Sequence, residues 1–136
     1  MEIDLGYCSL VEINESGWKN YPEFHEDYNL DPDEKVIDLT TIRIKYTYPL
    51  SNSVTYRVSS RNGFTRKQLA KIIARRYQMI YDEEEATSDV AVENIPNMLN
   101  RCQTTGRFGI WGHCIDDLIL HTAHIDGDLI TLGLDS

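Results

Sequence analysis

From residue 41 onward the chain alternates. Ile42, Ile44, Tyr46 and Tyr48 are interleaved with Thr41, Arg43, Lys45 and Thr47; after Pro49-Leu50-Ser51-Asn52 the rhythm resumes, with Val54, Tyr56 and Val58 between Ser53, Thr55, Arg57 and Ser59. Period-two alternation of β-branched and aromatic residues around a short turn predicts a β-hairpin with one buried face. The opposite face carries Arg43, Lys45 and Arg57. The period then lengthens to that of a helix, with Leu69, Ile72, Ile73, Tyr77 and Ile80 forming an apolar stripe. Its start is well marked: Thr65 is an N-cap residue, Gln68 completes a capping box, and Phe64 stands where it can staple onto Leu69. A helix over 66–84 is expected. Residues 118–125 and 129–134 read as two more strands, joined at the hairpin signal Asp126-Gly127.

The remaining stretches are less regular. Ile3, Leu5, Tyr7, Leu10, Val11 and Ile13 supply one strand over 1–13, interrupted by Gly6. Residues 14–35 mix acids with aromatics: Trp18, Tyr21, Phe24 and Tyr28 stand among Glu15, Glu23, Glu26 and Asp27. Pro22 suits the first position of a short helix over 22–28, and Asp31-Pro32-Asp33 reads as a turn. Four aromatics are too much apolar surface to leave in water, so this segment is expected to wrap the core. Between 86 and 105 only Ile95-Pro96-Asn97-Met98-Leu99 suggests a helical turn. The expectation is a single domain over 1–136, with an acidic-aromatic segment, 1–38, wrapping an α+β core, 39–136. That core is a largely antiparallel sheet built from hairpins, with one long helix packed on one face. A chain of 136 residues is long enough to bury a core without disulfide or metal staples.

The order of the charges adds to this picture. Residues 1–38 hold eleven acidic and two basic side chains, residues 39–81 none and nine, and residues 82–136 eleven and two, so the net charge of −9 is arranged as −9, +9, −9. The basic middle is expected to lie against acidic flanks, since like charges confined to one module repel. Within the helix the charges oppose the dipole: Arg66, Lys67 and Lys71 crowd the N-terminal end, and Asp82, Glu83, Glu84 and Glu85 the C-terminal end. Something must offset this: the chain's own acidic segments, a second subunit, or an anion such as a nucleic-acid phosphate. Arg57, Arg61, Arg66, Lys67, Lys71, Arg75 and Arg76 are therefore the candidate binding residues.

The segment 106–120 is the other unusual feature. Gly106, Gly109 and Gly112 recur at a spacing of three among Phe108, Ile110 and Trp111, a pattern that suits neither a helix nor a long strand. It reads as a sharply turning structural corner built on Gly109, Trp111, Gly112 and His113, with Trp111 expected against the helix stripe at Ile72, Ile73 and Ile80. Next to it lie His113, Cys114, Asp116, Asp117, His121 and His124. That density invites a metal site or a Cys-His nucleophile, with His113, Asp116, Asp117 and Cys114 as catalytic candidates. Spacing argues against both. Residues an odd number apart on a strand point to opposite faces, so His121 and His124 cannot share an ion unless the strand is bulged. His113 and Cys114 diverge for the same reason, and His25 is the one histidine outside the cluster. No metal and no cofactor is expected. The glycine run lacks the Lys-Ser/Thr of a P-loop and the context of a dinucleotide fingerprint, and Arg107-Phe108-Gly109 lacks the glycine an RNA-recognition strand has between its Arg and Phe.

Phe64-Thr65-Arg66, Tyr77 with residues 80–85, Thr87-Ser88, Gly109-Ile110-Trp111-Gly112-His113, Asp117-Leu118-Ile119-Leu120 and Leu134-Asp135-Ser136 together resemble a small uncharacterised family of large nucleocytoplasmic DNA viruses with relatives in some plants and protists. The resemblance covers roughly residues 40–136 and leaves out the acidic-aromatic N-terminal segment. The family often has an acidic residue where this chain has Cys114, which weakens a cysteine nucleophile further. The resemblance implies a virion or an infected host cytoplasm and no activity. Other features agree with an intracellular setting: three cysteines without a C-x-x-C pair, no signal-peptide pattern at Met1-Glu2-Ile3-Asp4, and no apolar run near membrane-spanning length. The function expected is a non-enzymatic interaction or structural module, self-associating as a homodimer or higher homo-oligomer. The alternatives are a small hydrolase-like or metal-dependent enzyme centred on His113, Asp116 and Asp117, and a nucleic-acid or acidic-protein binder using the basic strip of residues 57–76. No membrane partner is expected.

Overall fold

The computed structural model describes residues 1–21, 30–89 and 103–136. In chain order the elements are β1 (Glu2–Ser9), α1 (Leu10–Ser16), β2 (Lys35–Ile37), β3 (Thr41–Tyr46), β4 (Val54–Ser59), β5 (Phe64–Thr65), α2 (Arg66–Thr87), a 3-10 turn (Ile115–Asp117), β6 (Ile119–Asp126) and β7 (Leu129–Asp135). Five strands form one sheet in the order β1-β6-β7-β3-β4, and β2 with β5 forms a small second one. Among the described residues all strand pairings are antiparallel except β3 with β7. The fold is α+β.

The two hairpins follow the alternation. Ile42, Ile44 and Tyr46 of β3 are buried and face α2, with Val58, Tyr56 and Val54 opposite them on β4. Burying each such side chain contributes about 1.5–3 kcal/mol. The capping box forms: the Thr65 hydroxyl accepts from the Gln68 amide at 3.2 Å, and the Gln68 side-chain oxygen accepts from the Thr65 amide at 3.4 Å. The helix buries Leu69, Ala70, Ile73, Ala74, Tyr77, Ile80, Tyr81 and Glu84. Ile72, expected in that stripe, is displaced to the flank and only half-buried. The edge of Tyr77 packs on Tyr46 at 5.0 Å between ring centroids, and burial pushes both phenols upward in pKa.

The N-terminal part departs from the expectation. The first strand stops at Ser9, whose hydroxyl accepts from the Glu12 amide at 3.2 Å and so caps α1. Leu10 and Ile13 are buried by that helix, and Gly17 ends it at φ 91°. The described residues therefore hold two α-helices, joined where the Asn14 amide donates to the Ala74 carbonyl at 3.0 Å. Residues 2–16 are integral to the sheet and core rather than wrapped over them. Trp18 is buried as well, and its indole N–H donates to the Leu5 carbonyl at 2.7 Å. The expected helix over 22–28 and the helical turn at 95–99 lie outside the described residues.

The helix dipole is offset from within the chain. The 31–34 turn lies at the start of α2, where Asp33 pairs with Lys67 at 2.7 Å and Glu34 with Arg66 at 3.6 Å. No described helix is long and apolar enough to cross a membrane.

Candidate functional site

The corner at 104–113 is built on Glu84. This carboxylate is fully buried and stands one turn beyond Ile80 on the packed face of α2. Its Oε2 accepts from the Thr104 hydroxyl at 2.5 Å, the Gly106 amide at 2.9 Å and the Gly109 amide at 3.2 Å; its Oε1 accepts from the Phe108 amide at 2.8 Å. Burial pushes this carboxyl up, but the donors converging on it more than offset that and hold it below the usual glutamate range. The glycines are then explained individually. A Cβ on Gly106 would lie 2.5 Å from the Thr87 hydroxyl and 2.7 Å from the Glu84 carboxyl carbon, whereas Gly109 and Gly112 adopt φ of 64° and 82°.

Trp111 is not where the sequence placed it. Ile110 bridges to Leu50 and is buried with Phe108, so alternation along this extended piece sends Trp111 outward, where it is 48% exposed. It meets Tyr48 edge-on at 6.4 Å, and Tyr48 in turn lies 5.7 Å from the His113 ring. Below this surface the Tyr81 hydroxyl donates to the His113 carbonyl and the Tyr77 hydroxyl to the Tyr48 carbonyl, both at 2.9 Å.

The catalytic candidates are only partly brought together. His113 Nδ1 stands 3.6 Å from Asp117 Oδ2, and the same oxygen accepts from the Cys114 amide at 3.2 Å. The Cys114 side chain is buried. Asp116 projects from the 3-10 turn into solvent and makes no hydrogen bond or ion pair among the described residues. This arrangement fixes the corner; it does not converge on a shared point. His121 falls at a register shift in β6, so simple face parity does not apply to it and His124. Among the described residues no three His, Cys, Asp or Glu side chains gather in a way that could hold a metal ion. His121 instead approaches Asp135 at 3.4 Å and Thr122 at 2.7 Å, and Tyr7 also bonds Asp135. The sequence reading missed this trio, because the pairings that assemble it join both ends of the chain.

The basic strip divides into two sets. Arg66 is buried, its guanidinium donating to the Asp4 carbonyl at 2.8 Å and the Asp31 carbonyl at 2.5 Å; it ties β1 to α2 and cannot reach a partner. Lys67 is engaged by Asp33. By contrast Arg57, Arg61, Lys71 and Arg75 are exposed and make no ion pair among the described residues. Arg76 stacks over the Tyr56 ring at 4.1 Å. Between α2 and β4 lies a groove of about 320 Å³, with Ile44 and Tyr46 as its floor, Tyr56, Val58, Ile72 and Met79 as its walls, and Arg75 and Arg76 at its rim. A second groove of about 370 Å³ lies on the other flank of the helix, between α1 and α2, and is lined by Ile13, Asn14, Lys71, Arg75, Gln78 and Met79. Met79 is 47% exposed.

What these elements define is an α+β protein that carries, between α2 and β4, a groove apolar at its base and cationic at its rim. Comparison with family models, characterised proteins and solved structures returns no match for the chain.

Proposed function

We propose that this protein is a non-enzymatic interaction module that binds an acidic segment of a partner protein along the α2–β4 groove. The observation that carries this reading is the split in the basic strip: Arg66 and Lys67 are engaged internally, while Arg57, Arg75 and Arg76 line the α2–β4 groove beside its apolar surface. Apolar contact supplies affinity, and the cationic rim selects an acidic partner and speeds encounter. Nucleic acid fits less well. The chain carries −9 overall, so a duplex is repelled except at this patch, where only a few phosphates can be neutralised. Self-association through the same surface is disfavoured too, because it would oppose two cationic rims. The provenance implied by the resemblance, a virion or infected cytoplasm, would place that partner among viral or host proteins.

The test is a titration of labelled glutamate-rich peptide and of labelled duplex DNA at physiological salt. Binding of the peptide alone, weakened about tenfold or more (about 1.4 kcal/mol) by Arg75→Glu with Arg76→Glu, is expected. Preferential binding of the duplex, with a steep salt dependence, would replace this reading with a nucleic-acid partner.

A further inference from the structure

The two edges of the main sheet are treated differently. At the β1 edge the register shifts between Asp4 and Cys8, Gly6 adopts φ 71°, and the Arg66 guanidinium takes the Asp4 carbonyl. A bulged and capped edge cannot template another strand. Among the described residues the β4 edge has no such protection: its pairing with β3 is regular from Tyr46–Val54 to Thr41–Ser59.

The direction of the β4 backbone groups follows from the hydrogen bonds around it. The Arg43 amide donates to the Asp128 carbonyl at 2.8 Å, so Arg43 turns its backbone toward β7 and away from β4. Its partner Arg57 is then in a non-hydrogen-bonded pair, and antiparallel alternation extends this to Thr55 and Ser59. The Ser60 amide donates to Thr40 at 2.8 Å, which fixes the same parity independently. Thr55, Arg57 and Ser59 therefore present their N–H and C=O groups outward, and none of these groups has a backbone partner among the described residues. The groove opens along this same edge.

We propose that β4 is a strand-addition site: an extended acidic segment of a partner protein pairs with Thr55, Arg57 and Ser59 and lays alternate side chains into the groove beneath the Arg75–Arg76 rim. This rests on the reading of the groove as an acidic-partner site and specifies how the partner is held. Main-chain hydrogen bonds supply affinity and alternate side chains supply specificity. Apolar side chains at every second position meet Tyr56, Val58 and Met79; the carboxylates between them fall on the opposite face of the sheet, where β4 carries Arg57, and carboxylates beyond the paired segment meet Arg75 and Arg76. A second copy of this chain is a poor occupant, since edge-to-edge pairing of two β4 strands about Arg57 would set like charges opposite one another.

The probe is a short capped peptide alternating glutamate with valine, beside the same peptide N-methylated at alternate residues, which keeps its charges and loses its strand-forming amides. In the free protein the amides of Thr55, Arg57 and Ser59 should exchange rapidly while those of Val54, Tyr56 and Val58 are protected. Adding the peptide should slow the first three about tenfold or more, and N-methylation should weaken binding by a similar factor. Equal binding of both peptides with those amides unchanged, but sensitive to Arg75→Glu, would overturn strand addition and leave the acidic-partner reading standing. Protection of the three amides in the free protein would also overturn strand addition, by showing that the edge is already covered. Failure of the unmodified peptide to bind at all would overturn both.

Discussion

Glu84 places a charge where the helix periodicity calls for an apolar residue. It follows Tyr77 by seven positions and Ile80 by four, on the face that α2 buries. Within the run Glu83-Glu84-Glu85 it looked like one more solvated acid at the wrong end of a dipole, and only its phase with the stripe marked it as internal. Its partners were not legible, because they are the Thr104 hydroxyl and backbone amides 22 to 25 residues further on, at a corner whose course glycine leaves open. Glu84→Gln keeps the shape but turns an N–H₂ toward converging donors. A loss on the order of 3 kcal/mol is expected from breaking such a buried network, measured by urea denaturation. The pH dependence carries the same signature. The folded state holds this carboxyl below its ordinary value of 4.5, so its contribution is complete above that value and is lost as pH falls through the lower folded one. The parent should lose stability below about pH 4.5 more steeply than Glu84→Gln; parallel curves would show that the carboxylate is not the anchor.

At the scale of elements, what was legible was whatever has a local period or a local cap. Both hairpins and α2 arise from alternation, a glycine turn and a capping box, and they formed nearly where expected. The helix α1 carries the same kind of signal, Ser9 three residues before Glu12, but lies inside a longer apolar stretch that reads equally well as a strand. The corner at 104–113 shows what a local pattern cannot supply. Phe108 and Ile110 are buried and Trp111 is exposed because a bridge to Leu50 and two left-handed glycines set the phase, and neither is visible in the spacing. Phe108→Ala should therefore cost about 3–5 kcal/mol, whereas Trp111→Ala should stay within about 1 kcal/mol. Acrylamide should quench Trp111 readily and the buried Trp18 poorly. A Trp111 variant as damaged as the Phe108 variant would mean that the corner packs inward after all.

For the whole molecule, the −9, +9, −9 order is read partly in folding and partly left for a partner. The acidic 31–34 turn meets the start of α2, Asp128 meets Arg43 through paired bonds of 2.8 and 3.2 Å, and Glu83 meets Arg107 at 2.8 Å. Exposed pairs of this kind contribute only about 0–1 kcal/mol each, so their importance is in deciding which cations remain open rather than in holding the fold. The acidic N-terminal third is also not a removable cover. It supplies β1 at one edge of the sheet, the buried side chains Ile3, Leu5, Cys8, Leu10, Ile13 and Trp18, and the carbonyls of Asp4 and Asp31 that satisfy the buried Arg66. Removing residues 1–38 would expose the apolar flank of β6 and strand a buried guanidinium, two changes that each destabilise by several kcal/mol. The expected outcome is a chain without a cooperative thermal transition and with weakened near-ultraviolet circular dichroism. Any affinity it gains for DNA would then be that of an unfolded basic chain. A truncated protein that unfolds cooperatively and binds duplex DNA with a steep salt slope would show the opposite: that residues 1–38 lie over a pre-formed cationic surface, and that a nucleic acid is the partner they hold off.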